Sequence, residues 1–382
     1  MPVKIPYWRL SGFYFFHFAF LGAFTPYWSL YLKSLNFTAL QIGISMSVLQ
    51  GMRMFAPNLW GWQADRAGKR MGIVRFAAFF SLASFVGVFF GKDFFWLFSV
   101  LLSMSFFWSA SLPLVEATTL SHLGGSLGKY GMIRSWGSVG FILAVVMLGE
   151  ILDHFPVSFL LQAILGFMIG ILVFSFNIPE AENLPHHTDS VSIWEILLKR
   201  EVVALFASCL TMAAAHGPYY TFYSIYLVDH GYTKGSIGLL WGLGVICEIA
   251  VFFMMPKIMK NFSLKSILAF SLICAVIRFV MIGWGVNVPW LVILAQVLHA
   301  ATFGAHHAAA MAAIHHFFRG KHQAKGQSFY ASLVYGVGGT LGALGGGYAW
   351  GTCGPEITFS LSSAAALFGL VWLLSRFRLS PC

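Results

Sequence analysis

Long apolar stretches follow one another down almost the whole chain, separated by short polar connections. About 20 apolar residues carry a helix across a bilayer. Twelve stretches of that kind can be marked: 10–31, 41–62, 71–90, 94–120, 131–150, 156–177, 201–228, 234–256, 263–284, 289–313, 324–348 and 354–376. None alternates apolar with polar residues, so they predict helices and not the strands of a barrel. The first lacks a small-residue cleavage site and outruns the core of a signal peptide, so it reads as a retained helix. The longest polar segment, 178–200, carries Glu180, Glu182, His186, His187, Asp189 and Glu195 and follows the sixth stretch. The pattern therefore predicts an all-α integral membrane protein of twelve transmembrane helices. It has an N-terminal six-helix bundle (1–177), a cytoplasmic linker (178–200) and a C-terminal six-helix bundle (201–382).

Composition sharpens this picture. Of 382 residues, 58% are hydrophobic and 9% charged, against about 25% charged in a soluble domain. That excludes a soluble globular enzyme. The net charge of +10 would suggest nucleic acid if the charges formed a stripe. They do not. With both termini placed in the cytoplasm, seventeen of the 23 Lys and Arg fall on inner loops and ends, three on outer loops and three inside spans. This is the positive-inside bias of a membrane protein, and it accounts for the basic balance without nucleic acid. Five cysteines show neither metal nor disulfide spacing, and no phosphate-binding P-loop is present.

The halves repeat. The segment from Ser29 to Gly43 aligns without gaps to that from Ser224 to Gly238, with six of fifteen positions identical at an offset of 195. Each copy joins the first span of its half to the second, as an internal duplication requires.

After the second span the chain reads GWQADRAGKR, with Gly61, Asp65, Arg66, Gly68, Lys69 and Arg70. This resembles the signature loop of the major facilitator superfamily, G-x-x-x-D-R-x-G-R/K-R/K, in the place that family requires. The resemblance implies two pseudo-symmetric six-helix bundles and alternating access by rocking of the halves. It also implies a conformational latch, in which Asp65 accepts bonds from a helix end and glycine permits close helix approach. A second resemblance is narrower. Glu116 and Arg134, eighteen residues apart, precede Trp136, Gly137 and Gly140. This is similar to the proton-coupled symporters typified by lactose permease, in which such a pair contacts substrate. Gln296 to His299 resembles that family's K-T-L-H segment, whose His takes part in coupling, and Arg278 falls where the family places an Arg. Gln296 departs from its Lys, Thr302 from its acidic residue and Phe141 from its Trp. The run from Tyr130 to Gly140 looks closer to the related phenylpropionate-permease branch.

Five charges lie inside spans: Arg53, Glu116, Arg134, Glu248 and Arg278. Each costs roughly 2.5–3.5 kcal/mol at mid-helix on insertion scales, so they must pair or line a wet cavity. Three Arg against two Glu suits an anionic substrate. Arg53 and Glu248 are related by the repeat offset of 195. Glu116 or Glu248 is expected to carry the proton, with His299 as relay. His17, Tyr27, Trp136, Phe141, His216, Tyr219 and Tyr223 are candidate cavity-lining residues. The His run at 306, 307, 315, 316 and 322 fits no metal-box spacing, and no metal is expected.

The expected function is a proton-coupled symporter importing a small organic substrate such as an aromatic acid. A sugar or nucleoside symporter, a drug exporter by proton antiport and a multi-pass membrane enzyme stay open as alternatives. The expected partners are the small-molecule substrate, protons and the lipid bilayer, with no nucleic acid. No cofactor beyond the proton gradient is expected, and the working unit is expected to be a monomer in the cell inner membrane.

Overall fold

A computed structural model describes residues 5–124, 127–181 and 192–377. Glu182, His186, His187, Asp189 and Cys382 lie outside the described residues. In chain order the helices are α1 (Tyr7–Ser34), α2 (Ala39–Met52), α3 (Ala56–Ala67), α4 (Arg70–Val86), α5 (Phe94–Trp108), α6 (Ser111–Leu123), α7 (Leu127–His154) and α8 (Phe159–Asn177). There follow the short α9 (Trp194–Leu197), then α10 (Arg200–Asp229), α11 (Lys234–Asn261), α12 (Leu264–Gly285), α13 (Pro289–His299) and α14 (His306–Phe317). The last three are α15 (Gln323–Tyr330), α16 (Gly339–Cys353) and α17 (Pro355–Arg376). Among the described residues, nine helical stretches are long and apolar enough to cross a membrane. The helix α1 and the runs α2–α3 and α15–α16 complete an order of twelve transmembrane helices.

Two spans are broken, and proline explains both. Proline has no N–H for the carbonyl four residues back, and its ring crowds that carbonyl. Pro57 withdraws the partner of Arg53, and the second span breaks between α2 and α3. Pro113 withdraws the partner of Ser109, and the fourth breaks between α5 and α6. Arg53 is therefore the C-terminal cap of α2 and half-buried, not a mid-helix residue. Pro218 sits inside continuous α10, where Gly342 of α16 packs against the carbonyl of Ala214, the one it frees. The tenth and eleventh spans each contain a π-helical stretch, Ala300–Ala305 and Ala331–Gly338. Such stretches are uncommon and frequent at functional sites.

The repeat is visible in hydrogen bonds. Asn36 at φ 62° and Gly231 at φ 84° occupy the left-handed region at corresponding positions. The N–H of Phe37 donates to the carbonyl of Leu32 (3.3 Å), and that of Tyr232 to Leu227 (3.1 Å). Thr38 then caps α2 by accepting from the N–H of Gln41, and Thr233 accepts from the N–H of Ser236 in the same way. Sequence identity at the offset of 195 thus corresponds to one shared helix–turn–cap geometry.

The packing divides into two units. The first comprises the described residues of Met1–Phe37, Phe55–His186 and Thr233–Leu239. Within it α1 packs on α7 and α8, and α4 on α5 and α8. Asp153, near the end of α7, accepts the first two N–H groups of α11, from Lys234 and Gly235, both at 2.7 Å. The second comprises the described residues of Thr38–Met54, His187–Tyr232 and Leu240–Cys382. Within it α10 packs on α16 and α17, α12 on α17, and α2 along α16. A Cβ on Gly43 would stand 2.7 Å from the carbonyl oxygen of Ala343, so only glycine permits this approach.

Candidate functional site

The intramembrane charges fall into separate clusters, one in each unit. In the first unit, α6 and α7 run antiparallel about a turn. Residues eight before Gly124 and ten after it therefore stand at similar depth, and this brings Glu116 opposite Arg134. Arg134 Nε lies 3.6 Å from Glu116 Oε1, and each side chain is about a third exposed, 31% and 34%. The guanidinium also lies 4.0 Å over the ring of Phe18 and 5.6 Å over that of Tyr14. Tyr14 in turn shares a hydrogen bond with Thr119 (3.2 Å). Arg134 is thus satisfied by a carboxylate and two aromatic faces.

The other residues marked in this unit lie apart from that pair. His17 is buried and stacked between Trp108 (4.6 Å) and Phe13 (5.8 Å). Trp136 Nε1 donates to the hydroxyl of Tyr7 (3.0 Å). The backbone of Phe141 is where α7 meets α1, its carbonyl oxygen 2.6 Å from the place a Cβ on Gly22 would take. Tyr27 donates to the carbonyl of Val145 (2.7 Å), eleven residues along α7 from Arg134, and so belongs to the α1–α7–α11 junction.

In the second unit Arg278 is fully buried. Its Nε donates to the carbonyl of Ala295 (2.8 Å), and Nη1 lies 3.2 Å from His216 Nε2 and 3.5 Å from Thr302 Oγ1. The guanidinium stands 4.2 Å over the ring of Tyr219. His216 Nδ1 meets the carbonyl of Met212 at 2.9 Å. A carbonyl only accepts and a guanidinium only donates, so the proton of this imidazole sits on Nδ1 and Nε2 accepts from Arg278. Tyr219 donates to Gln296 Oε1 (2.9 Å). His299 Nε2 lies 3.9 Å from Glu248 Oε2, with the side chains 8% and 17% exposed. Gly304, in the π-helical stretch after His299, lets Glu248 pass: a Cβ there would stand 3.1 Å from Glu248 Cγ. Tyr223 is buried beside Tyr219 (4.8 Å between rings). Arg278, His216, Tyr219, Tyr223, Glu248 and His299 thus come together, and Arg53 stands at the end of α2 with Tyr335 and Tyr220 as its electrostatic neighbours.

The signature loop is held by a residue that the sequence reading assigned to the linker. Glu180 accepts the N–H groups of Arg70 (2.8 Å) and Met71 (3.0 Å), capping α4. Arg70 Nη1 reaches Ser121 (3.1 Å). Gly68 ends α3 at φ 66°. Asp65, Arg66 and Lys69 are exposed, so the carboxylate at this helix end is that of Glu180. Gly61 has no atom within 4 Å of where its Cβ would be, so it is not a point of close helix approach.

Gln296 and Thr302 were not among the candidate residues, yet they bond into this cluster. They flank His299 three residues to either side, on one helical face, and that spacing could have found them. Among the described residues no group of three His, Cys, Asp or Glu could hold a metal. His306 instead bonds Ser271 (2.7 Å), and His307 bonds Tyr335 (2.8 Å).

The model of the MFS_1 like family matches residues 7–361. The chain belongs to that family. It is a multi-pass membrane protein and a secondary transporter of the major facilitator type, not an enzyme. The protein of Escherichia coli (strain K12) named "Probable 3-phenylpropionic acid transporter" is 28% identical over 315 residues, 81% of this chain and 82% of that one. The maltose permease of Geobacillus stearothermophilus is 24% identical over 96% of this chain and 94% of its own. The crystal structure of the nucleoside transporter NupG superposes with a TM-score of 0.83 at 16% identity, covering 98% of this chain and 99% of that one. At that identity the likeness is one of fold.

Proposed function

We propose that this transporter is a proton-coupled symporter that imports a small aromatic acid of the 3-phenylpropionate kind by alternating access. Arg278 carries the reading. It is fully buried, and no carboxylate among the described residues lies within ion-pair distance of it. A buried cation without a carboxylate at ion-pair distance suits a substrate that brings one. The relative named for 3-phenylpropionic acid supports the aromatic ring. Glu116, beside Arg134, or Glu248, beside His299, carries the proton, because each is a carboxylate whose partner can be drawn away by substrate. In this reading residues 1–177 and 201–382 are two six-helix halves joined by a cytoplasmic linker, 178–200. Both termini are cytoplasmic, the membrane is the cell inner membrane and one chain is the working unit.

Proteoliposomes holding the purified chain, with the outside acidified, test this. Labelled 3-phenylpropionate should accumulate uphill. Glu116→Gln or Glu248→Gln should abolish accumulation while leaving exchange of internal for external acid. Accumulation of maltose or a nucleoside in place of the acid would overturn the substrate. Full accumulation by both single variants would overturn the proton carriers.

A further inference from the structure

Gln296 sits at the centre of the second cluster with its amide already oriented. Tyr219 donates to Oε1, which fixes the acceptor side and turns Nε2 the other way. That nitrogen is buried and has no hydrogen-bond partner. Arg278 is arranged alike: Nε and Nη1 are occupied by Ala295, His216 and Thr302, and Nη2 is buried without a partner. Arg278 and Gln296 are both 0% exposed. One further buried atom that can donate, His299 Nδ1, also lacks a partner, and the Tyr223 hydroxyl is buried against the Gln296 amide. Leaving such donors unmade in a low-dielectric interior is costly. The cluster therefore has donors to spare and one positive charge without an ion-pair partner.

We propose that Arg278 Nη2 and Gln296 Nε2 are the two jaws of a receptor for the carboxylate of the transported acid, with Gln296 as the residue that sets specificity. The inference rests on the reading of the protein as an importer of an organic acid and names the atoms that select it. A carboxylate offers lone pairs and no proton, and its single charge matches the single guanidinium. A sugar hydroxyl brings a proton of its own and no charge, so it leaves the guanidinium unneutralised, and Nε2 of His216 is already engaged. A phosphate dianion exceeds the charge available, and a carboxamide has none to give. Trp241, 4.8 Å from the Tyr219 ring and stacked with Tyr220 at 6.1 Å, supplies an aromatic wall for the acid's ring. The least buried edge of the cluster is Glu248, whose side chain is 17% exposed.

The test is binding of 3-phenylpropionate, 3-phenylpropionamide and maltose to the purified full chain by titration calorimetry. The wild type should bind the acid at least about 50-fold tighter than the amide, because a site built on charged donors discriminates strongly against a ligand lacking the charge. Gln296→Glu keeps the shape and replaces the donor by an acceptor, and should weaken the acid by about 50-fold or more. Tyr219→Phe, which frees the amide to turn, should weaken it about threefold to tenfold. If Gln296→Glu fails to fold, Gln296→Met removes the donor without adding charge. An unchanged acid affinity in a folded Gln296 variant, or equal wild-type affinity for acid and amide, overturns the receptor and leaves the importer standing. A wild type that binds maltose and neither phenyl compound overturns the importer itself, and the receptor with it.

Discussion

Two of the arginines inside spans, Arg134 and Arg278, have the same chemistry and opposite settings. Arg134 lies a third exposed, 3.6 Å from Glu116, its positive charge met by a permanent neighbour. Arg278 is wholly buried and spends its donors on a carbonyl, a hydroxyl and a neutral imidazole. Uncharged acceptors orient a guanidinium but do not cancel it. The first setting describes a pair that is stable in itself and can be parted. In the proposed function, the second is a charge held in readiness for a mobile anion.

The largest expected effect comes from removing that charge. Arg278→Gln should lower uptake of 3-phenylpropionate at least about 100-fold, near 3 kcal/mol. Its melting temperature should stay within about 3 °C of wild type, because relief from a buried, unneutralised charge offsets the lost hydrogen bonds. A large loss of stability alongside the loss of uptake would make Arg278 a structural residue and erase the contrast with Arg134.

Arg134 should behave in the opposite way. Arg134→Gln strands Glu116 and should destabilise the protein by about 1–2 kcal/mol, less than the several kcal/mol of a fully buried pair because both groups are part-exposed. Adding Glu116→Gln should restore most of the loss, as a double-mutant cycle read by thermal unfolding would show. Additive effects in that cycle would mean that the 3.6 Å approach carries no coupling.

How much of this was legible in the sequence depends on the range over which each feature is determined. The twelve spans and the half-repeat were legible, because apolar length and local identity are written in consecutive residues. Glu116 and Arg134 were legible through the resemblance to a family that pairs a Glu and an Arg at this spacing. The breaks at Arg53 and Ser109 were not read, although Pro57 and Pro113 stand in the sequence. A hydropathy pattern is blind to a carbonyl four residues back. Gln296 registered only as a departure from a resembling pattern, because what makes it a donor is Tyr219, 77 positions away. The π-helical stretches after His299 and around Tyr335 left no sequence signal that we recognise.

Glu180 is the smallest test and concerns the loop that carries the family resemblance. Its carboxylate accepts two N–H groups at the start of α4, at 2.8 and 3.0 Å. An anion there satisfies donors that have no intrahelical partner and sits at the positive end of the helix. Glu180→Gln keeps an acceptor and removes the charge, so the loss should be about 0.5–1 kcal/mol and uptake should fall no more than about threefold. Asp65→Asn, at an exposed position on α3, should cost less stability than Glu180→Gln, since a solvated carboxylate contributes little. If the order is reversed, with Asp65→Asn melting lower, then the carboxylate that secures this loop in the membrane is Asp65, and the capping by Glu180 contributes little there.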